Sequence, residues 1–361
     1  MKDRDYTDLA YKISERFNKI NTLYITKMGE QLKEIGSLNP SSLKKIEQLI
    51  KMNQNIEDIR LLLRKTSKLT NEELNTIFNQ AGLEVYKDAA IFYKANRVVQ
   101  VPFKQNKWMQ QHIDAIANLT SNTFVNLART TVIDKTYKDV VDIACEAVTG
   151  GVDNYSNVIQ KAALDAAQNG LRVKYASGRT RRLDSAIRMN VLEGIRQVNN
   201  GVRQQAGKEF GANGVEISVH ALCAPDHVEY QGKQFTNEQF SRLQSGILKR
   251  PISTCNCKHI TFPIVMGVST PAYSDTELQQ FRDNSNSIVN INGKSMTKYE
   301  ATQAQRNIET KIRYAKDEYT LAQSMGDEEL IQSRKAKINQ LKKNYTSISN
   351  QAGLTPKWDR T

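Results

Sequence analysis

Over most of this chain the apolar side chains recur three or four positions apart. Leu9, Ile13, Phe17, Ile20, Tyr24 and Met28 form one such stripe and predict a helix over residues 1–36. Asn39-Pro40 interrupts it, because proline disfavours helix in the residue before it. Ser41 or Ser42 then caps a second helix, whose buried side is expected to carry Leu43, Ile46, Leu49, Ile50, Ile56, Ile59 and Leu63. Thr70 followed by Glu73 reads as a capping box opening a third helix to about Lys94. Together these predict an antiparallel bundle or an extended arm.

Val98 to Pro102 reads as a short extended linker. A helix from about Lys107 offers Trp108, Ile113, Ile116, Leu119, Phe124 and Leu127 for packing; His112 within it reads as a surface or core histidine rather than a ligand. Val140, Ile143, Ala144 and Val148 mark a further helix ended by Gly150-Gly151, with Cys145 on its apolar side as a small core residue. Asn154 to Asn169 is a short alanine-rich helix stopped by Gly170. Ile187, Val191, Ile195, Val198 and Val202 give helical spacing between Asp184 and Phe210.

Then the period changes. Val215 to His220 alternates with period two, as a half-buried strand does. Gln231 to Phe235 and Ile260 to Val268 supply two more short strands, and no other β region is expected. After Pro271 the helical texture returns with Ala301, Ala304, Ile308, Ile312, Ala315, Tyr319 and Ala322. Gly326-Asp327 makes a turn, and Ile331, Ile338, Leu341, Tyr345 and Ile348 continue the spacing. This predicts a helical hairpin with a coiled-coil-like seam, closed on itself or docked on a partner.

The expected fold class is therefore mainly α with a small central α+β module, an N-terminal helical bundle or arm and a C-terminal helical hairpin. The expected organisation is a helical arm over 1–97, a helical linker domain over 98–170, the central α+β module over 171–275 and the hairpin over 276–361.

Composition adds a constraint on partners. The chain has 361 residues, a formal net charge of +13 and 39% hydrophobic residues. That supports modest cores rather than one large one, and the basic excess favours a polyanion such as nucleic acid over a surface charged only for solubility. No apolar run approaches the ~20 residues of a membrane span. Met1 to Tyr6 carry no apolar core behind their charges and are not read as a secretory signal. The four cysteines do not make a disulfide scaffold, so the thiols are expected free or metal-bound in a reducing compartment.

The chemistry-bearing residues concentrate between Leu171 and Pro271, which hold three of the four cysteines and three of the four histidines. Arg179, Arg181, Arg182 and Arg188 are the densest arginine cluster. Their planar forks suit phosphate, and with Asp184 beside them they equally suit an internal ion-pair network. Cys255, Cys257 and His259 form the tightest group of soft ligands, with His220, Cys223 and His227 upstream. His220, His227, Cys255, Cys257 and His259 are the candidate ligands of a structural zinc, and free thiols at a turn, or a Cys223–Cys255 or Cys223–Cys257 disulfide formed after lysis, are the alternatives. His220, Asp226, His227 and Glu229 also suit a metal-dependent hydrolase by residue type, and Cys223 with His227 a thiol nucleophile, although no spacing requires either. Asn292-Gly293-Lys294-Ser295 resembles the end of a phosphate-binding loop, but Ile288 stands where its first glycine belongs, so nucleotide binding is not expected.

Four blocks in order resemble the minor capsid protein 2 family of tailed bacteriophages, related to head-morphogenesis proteins. The first is Tyr175-Ala176-Ser177-Gly178-Arg179 with Ser185-Ala186-Ile187-Arg188-Met189. The second is Glu216-Ile217-Ser218-Val219-His220-Ala221 with Pro225-Asp226-His227 and Tyr230-Gln231-Gly232-Lys233. The third is Cys255-Asn256-Cys257-Lys258-His259 with Phe262-Pro263 and Gly267-Val268-Ser269. The fourth is Tyr299-Glu300-Ala301-Thr302-Gln303-Ala304-Gln305-Arg306. Ala221-Leu222-Cys223-Ala224 stands where the family often has a Gly-Ala-Arg run. Lys258 replaces an arginine, which keeps the charge and loses the bidentate fork. No motif in the first 170 residues matches.

The resemblance implies a low-copy virion protein, built into the head during assembly in the host cytoplasm, touching portal, coat or scaffold and lying near packaged DNA. On this reading the protein is structural rather than an enzyme, uses no cofactor beyond a possible zinc, and contacts DNA without reading its sequence. Neither a membrane nor a small-molecule substrate is expected as a partner. The alternatives are a metal-dependent nuclease or processing enzyme acting in head morphogenesis, and a cytoplasmic DNA-binding adaptor that never enters a particle.

Overall fold

The computed structural model describes residues 3–36, 42–150, 155–248, 250–254 and 257–361. Its helices are α1 (Asp3–Gly36), α2 (Ser42–Asp88), α3 (Ala90–Ala95), α4 (Lys107–Thr130), α5 (Asp134–Gly150), α6 (Tyr155–Asn169), α7 (Leu183–Glu209), α8 (Asn237–Arg242), α9 (Asp275–Asn286), α10 (Lys298–Met325) and α11 (Glu328–Gln351). Its short strands are β1 (Thr131–Val132), β2 (Arg172–Lys174), β3 (Thr180–Arg182), β4 (Gly214–Ile217), β5 (Gln234–Thr236), β6 (Thr261–Ile264), β7 (Ile288–Ile291) and β8 (Lys294–Thr297). The fold is mainly α with small antiparallel sheets, as the spacing of the apolar positions predicts.

Two expectations about α2 need correction. Residues 42–88 are one helix, not two, because buried Leu63, Ser67, Leu74 and Phe78 keep a common helical phase through Thr70. A capping box marks where a helix is free to start, and it does not break one whose apolar stripe continues. The inward face also differs: Met52, Ile56, Ile59 and Leu63 are buried, whereas Ile46 and Ile50 are 54% and 62% exposed. Gln48 and Asn55 take the inward positions instead, both hydrogen-bonded. On α4, Leu119 is likewise exposed, and Trp108, also exposed, stacks on His112 instead of entering the core.

The residues group into two compact units. One comprises residues 11–70, 123–188 and 304–361. In its core Phe17 meets Phe124 edge-on with ring centroids 6.2 Å apart, and Tyr24 meets Tyr137 at 5.6 Å. β1, β2 and β3 pair antiparallel in that order, with Thr131 opposite Val173 and Arg172 opposite Arg182. This sheet is absent from the sequence expectation, since two- and three-residue strands are too short to show a period. The C-terminal hairpin is confirmed: Asp327 caps α11, its side chain accepting from the Leu330 amide at 2.9 Å. Tyr345 on α11 donates to Glu309 on α10 at 2.8 Å.

The other unit comprises residues 1–10, 71–122 and 189–303. On α7, Val191, Ile195, Val198 and Val202 are all buried at the predicted spacing. The predicted central sheet is present in the order β5-β4-β6, antiparallel, with Val215 opposite both Phe235 and Pro263. Its apolar centre is small: Ile217, Leu243 and Ile252, flanked by half-buried Tyr230 and Leu248 and the partly buried Phe235 and Phe240. A second hairpin, β7–β8, contains the segment resembling a phosphate-binding loop. Asn292 and Gly293 occupy its two-residue turn with φ of 51° and 80°, the left-handed pair that such hairpins favour.

Candidate functional site

The candidate ligands come from the two connections of the central sheet. Between β4 and β5 the chain turns tightly: the amides of Tyr230 and Gln231 both donate to the His227 carbonyl, at 3.0 and 3.2 Å. Gly232 then takes φ +72°, and a Cβ there would lie 2.2 Å from Leu278 Cδ2, so both the turn and the close approach require glycine. Between β5 and β6 the chain returns past Arg250. Gln244 clasps the backbone of Ile252 with two hydrogen bonds of 2.7 and 2.8 Å. Asn200 and Arg196 of α7 bind Ser253, the former at 2.8 Å, holding it at φ +60°. Ser218 at the end of β4 bonds Ile260 in both directions, each at 2.8 Å, which ties the two connections together beside His259.

These contacts bring His227, Cys257 and His259 together, their ligand atoms all within 4.8 Å of one another. Cys257 Sγ is 3.6 Å from His227 Nδ1 and 3.4 Å from His259 Nδ1. Both imidazoles are buried, and Cys257 is half-buried. His227 Nε2 faces the Arg250 carbonyl at 2.8 Å and must donate to it. His259 Nε2 faces Gln231 Oε1 at 3.3 Å, and that oxygen is fixed as an acceptor by the His220 amide at 3.2 Å. Burial, reinforced by His220 and His227, pushes the His259 pKa down to about 3, so its ring is neutral.

The other predicted ligands stand differently. His220 lies beside the trio, its ring centroid 4.3 Å from that of His259, with Nδ1 at 3.2 Å from the Ala221 carbonyl. Cys255 lies outside the described residues. Cys223 is buried, and burial, with Asp226 and Cys257 nearby, pushes its thiol up to about 12, the opposite of an activated nucleophile. Asp226 is held below the usual carboxylate range by the Arg250 guanidinium, with contacts of 2.8 and 3.2 Å. Gln231 and the Arg250 carbonyl, which orient the rings, escaped the sequence reading, because a backbone oxygen and a neutral amide carry no motif.

The four arginines also separate. Arg179 and Arg181 are exposed on the β2–β3 hairpin, next to exposed Lys174. Arg182 is buried and paired with Asp184 at 3.1 Å and with Asp317, and it donates to Asn18 at 3.2 Å. That is the internal network the sequence left open. Arg188 is half-buried at a cavity of about 130 Å³ that Arg313, Lys316 and Arg360 also line. Burial and the two neighbouring guanidiniums lower its pKa. His112 stacks on Trp108 with centroids 4.8 Å apart and meets the Gln197 carbonyl at 3.3 Å, a partly buried histidine with partners, not a ligand of the trio.

Long helices around small antiparallel sheets, with no described helix apolar enough to cross a membrane, define a mainly helical structural class. A family model, phage minor capsid protein 2, matches residues 1–348, and the chain belongs to that family. The match also runs through the first 170 residues, where no motif was legible. Membership makes it a minor capsid protein of a bacteriophage and a virion component. No curated protein and no solved structure matches the chain.

Proposed function

We propose that this protein is a structural element of the phage head, incorporated during assembly in the host cytoplasm. Its helices dock on portal, coat or scaffold proteins, and its basic surface lies against packaged DNA without reading sequence. The observation that carries this reading is the β2–β3 hairpin. It presents Lys174, Arg179 and Arg181 to solvent on a chain of net charge +13. Exposed cations along a hairpin fit phosphate oxygens, and such contacts give weak, salt-sensitive attachment with no sequence preference.

The test combines two measurements on the full chain. Co-expression with the portal protein should yield a complex that survives purification. Retention on random-sequence DNA should fall steeply as salt rises from about 50 to 200 mM. Failure to associate with portal, coat or scaffold, together with absence from purified particles, would defeat the structural reading. Tight binding at high salt or a marked sequence preference would defeat the account of DNA contact.

A further inference from the structure

The geometry points to a zinc site made by His227 Nδ1, Cys257 Sγ and His259 Nδ1, which staples the two connections of the central sheet. It is independent of the virion role proposed above.

His227 Nε2–H is committed to the Arg250 carbonyl and His259 Nε2–H to Gln231 Oε1. In its neutral form each ring then turns a lone pair on Nδ1 toward the same sulfur, at 3.6 and 3.4 Å. A neutral thiol has one S–H and satisfies one of those nitrogens; the second lone pair is left against sulfur lone pairs. Two buried acceptors converging on one weak donor is an unfavourable arrangement for the protein alone. A divalent cation between them removes the conflict: the thiol gives up its proton, and sulfur and both nitrogens become ligands.

The dimensions agree. Zinc bonds of ~2.3 Å to sulfur and ~2.0–2.1 Å to nitrogen, at tetrahedral angles, set sulfur–nitrogen edges of ~3.6 Å. The two separations in the structure are 3.6 and 3.4 Å. A thiolate with two imidazoles selects zinc over magnesium or calcium, which take oxygen donors. The carbonyl and carboxamide behind the rings are the outer-shell partners that orient ligating histidines.

The location explains what the ion does. His227 sits in the β4–β5 connection, Cys257 and His259 in the approach to β6. Among the described residues the apolar cluster of this sheet has three fully buried members, Ile217, Leu243 and Ile252. A core of that size holds two long connections weakly, and a metal is the cross-link that persists where disulfides are reduced.

The test uses the full-length chain purified without metal-affinity resin. Zinc per chain is measured by elemental mass spectrometry, and the zinc is then exchanged for cobalt to read its ligands. About one zinc per chain is expected, with a sulfur-to-cobalt charge-transfer band in the near ultraviolet. Cys257→Ser should abolish the band and weaken metal binding at least ~10-fold; Cys257→His should retain cobalt without the band; Cys145→Ser should change nothing. Gln231→Ala should weaken binding ~10–100-fold while leaving all three ligands in place. A folded chain that takes up no zinc, or a cobalt band unchanged by both Cys257→Ser and His259→Gln, would overturn the assignment. Where a substitution unfolds the chain, the cobalt spectrum of the unsubstituted protein decides: the band supports the site, and its absence sinks it.

Discussion

His227 and His259 stand edge to face, ring centroids 5.3 Å apart, and each presents Nδ1 to the sulfur of Cys257 from a different connection of one small sheet. Neither ring is free to turn away, because the opposite nitrogen of each is bonded to an oxygen. The pair therefore behaves as a preset clamp, and an ion bound there stabilises the folded chain by its own binding free energy. Removing zinc with a chelator should lower the melting temperature. At a free ion concentration 1,000 times Kd the loss is about 4 kcal/mol. Thermal unfolding of the same sample with and without chelator measures this, and Cys257→Ser should show a smaller chelator effect. An equal shift in that variant would mean that the metal acts elsewhere.

Arg182 and Arg179 lie three positions apart and should respond in opposite ways to the same change. Arg182 is buried between Asp184 and Asp317, and truncation leaves buried Asp317 without its cation, while half-buried Asp184 keeps Arg313 at 3.4 Å. Arg182→Ala should destabilise the chain by about 3–5 kcal/mol, and Arg182→Met with Asp317→Leu should recover much of that. Arg179→Ala should leave stability within about 0.5 kcal/mol, because the side chain is exposed. It should instead reduce the salt dependence of DNA retention by about one phosphate contact. Denaturant melts and salt-titrated DNA binding separate the two effects. A stability loss from Arg179→Ala matching that from Arg182→Ala would contradict the assignment of roles.

Gly201 on α7 faces His112. A Cβ there would lie 2.0 Å from His112 Nε2, and the ring is backed by Trp108. Gly201→Ala therefore forces the imidazole off both Trp108 and the Gln197 carbonyl. We expect a cost of about 1–3 kcal/mol, less the gain in helix propensity from removing a glycine. His112→Ala opens the space, so the double variant should be more stable than Gly201→Ala alone. Chemical denaturation of the three variants is the check, and strict additivity would refute the clash.

The helices were legible because their signal is local and repeated. Val191, Ile195, Val198 and Val202 announce the buried face of α7 without any knowledge of what covers it. The central sheet was legible for the same reason, through the alternation at Val215 to His220, although β4 itself ends at Ile217. What the sequence withheld depends on distant partners. Ile46 and Ile50 fit a helical stripe as well as Met52 does, and only the neighbours of α2 decide which residues are covered. Arg181 and Arg182 read alike in the sequence, and the difference is Asp317, 135 positions away. The candidate trio was partly legible: His227, Cys257 and His259 stand among five candidate ligands in the sequence, and the turn closed by Tyr230 and Gln231 is what brings His227 to the other two.

Glu318 offers the clearest pH test. Its carboxylate is fully buried on α10 and receives Arg334 at 2.8 Å, Lys337 at 2.9 Å and Gln168. Burial alone would raise its pKa, but the hydrogen bonds from Lys337, Arg334 and Gln168 outweigh burial and hold it below its ordinary value of 4.5. A carboxyl whose pKa is depressed on folding stabilises the chain above its unfolded pKa, and the contribution disappears as pH falls through the folded value. Glu318→Gln keeps the shape and removes the charge. It should therefore cost about 1–3 kcal/mol at neutral pH, the range for a buried group that loses charge-assisted bonds. The gap between the two proteins should stay level from about pH 8 to 5 and close only below about pH 4.5. Urea unfolding of both proteins across that range measures it directly. A gap that widened on acidification would mean that Glu318 is protonated in the folded chain and that its bonds to α11 are not ionic.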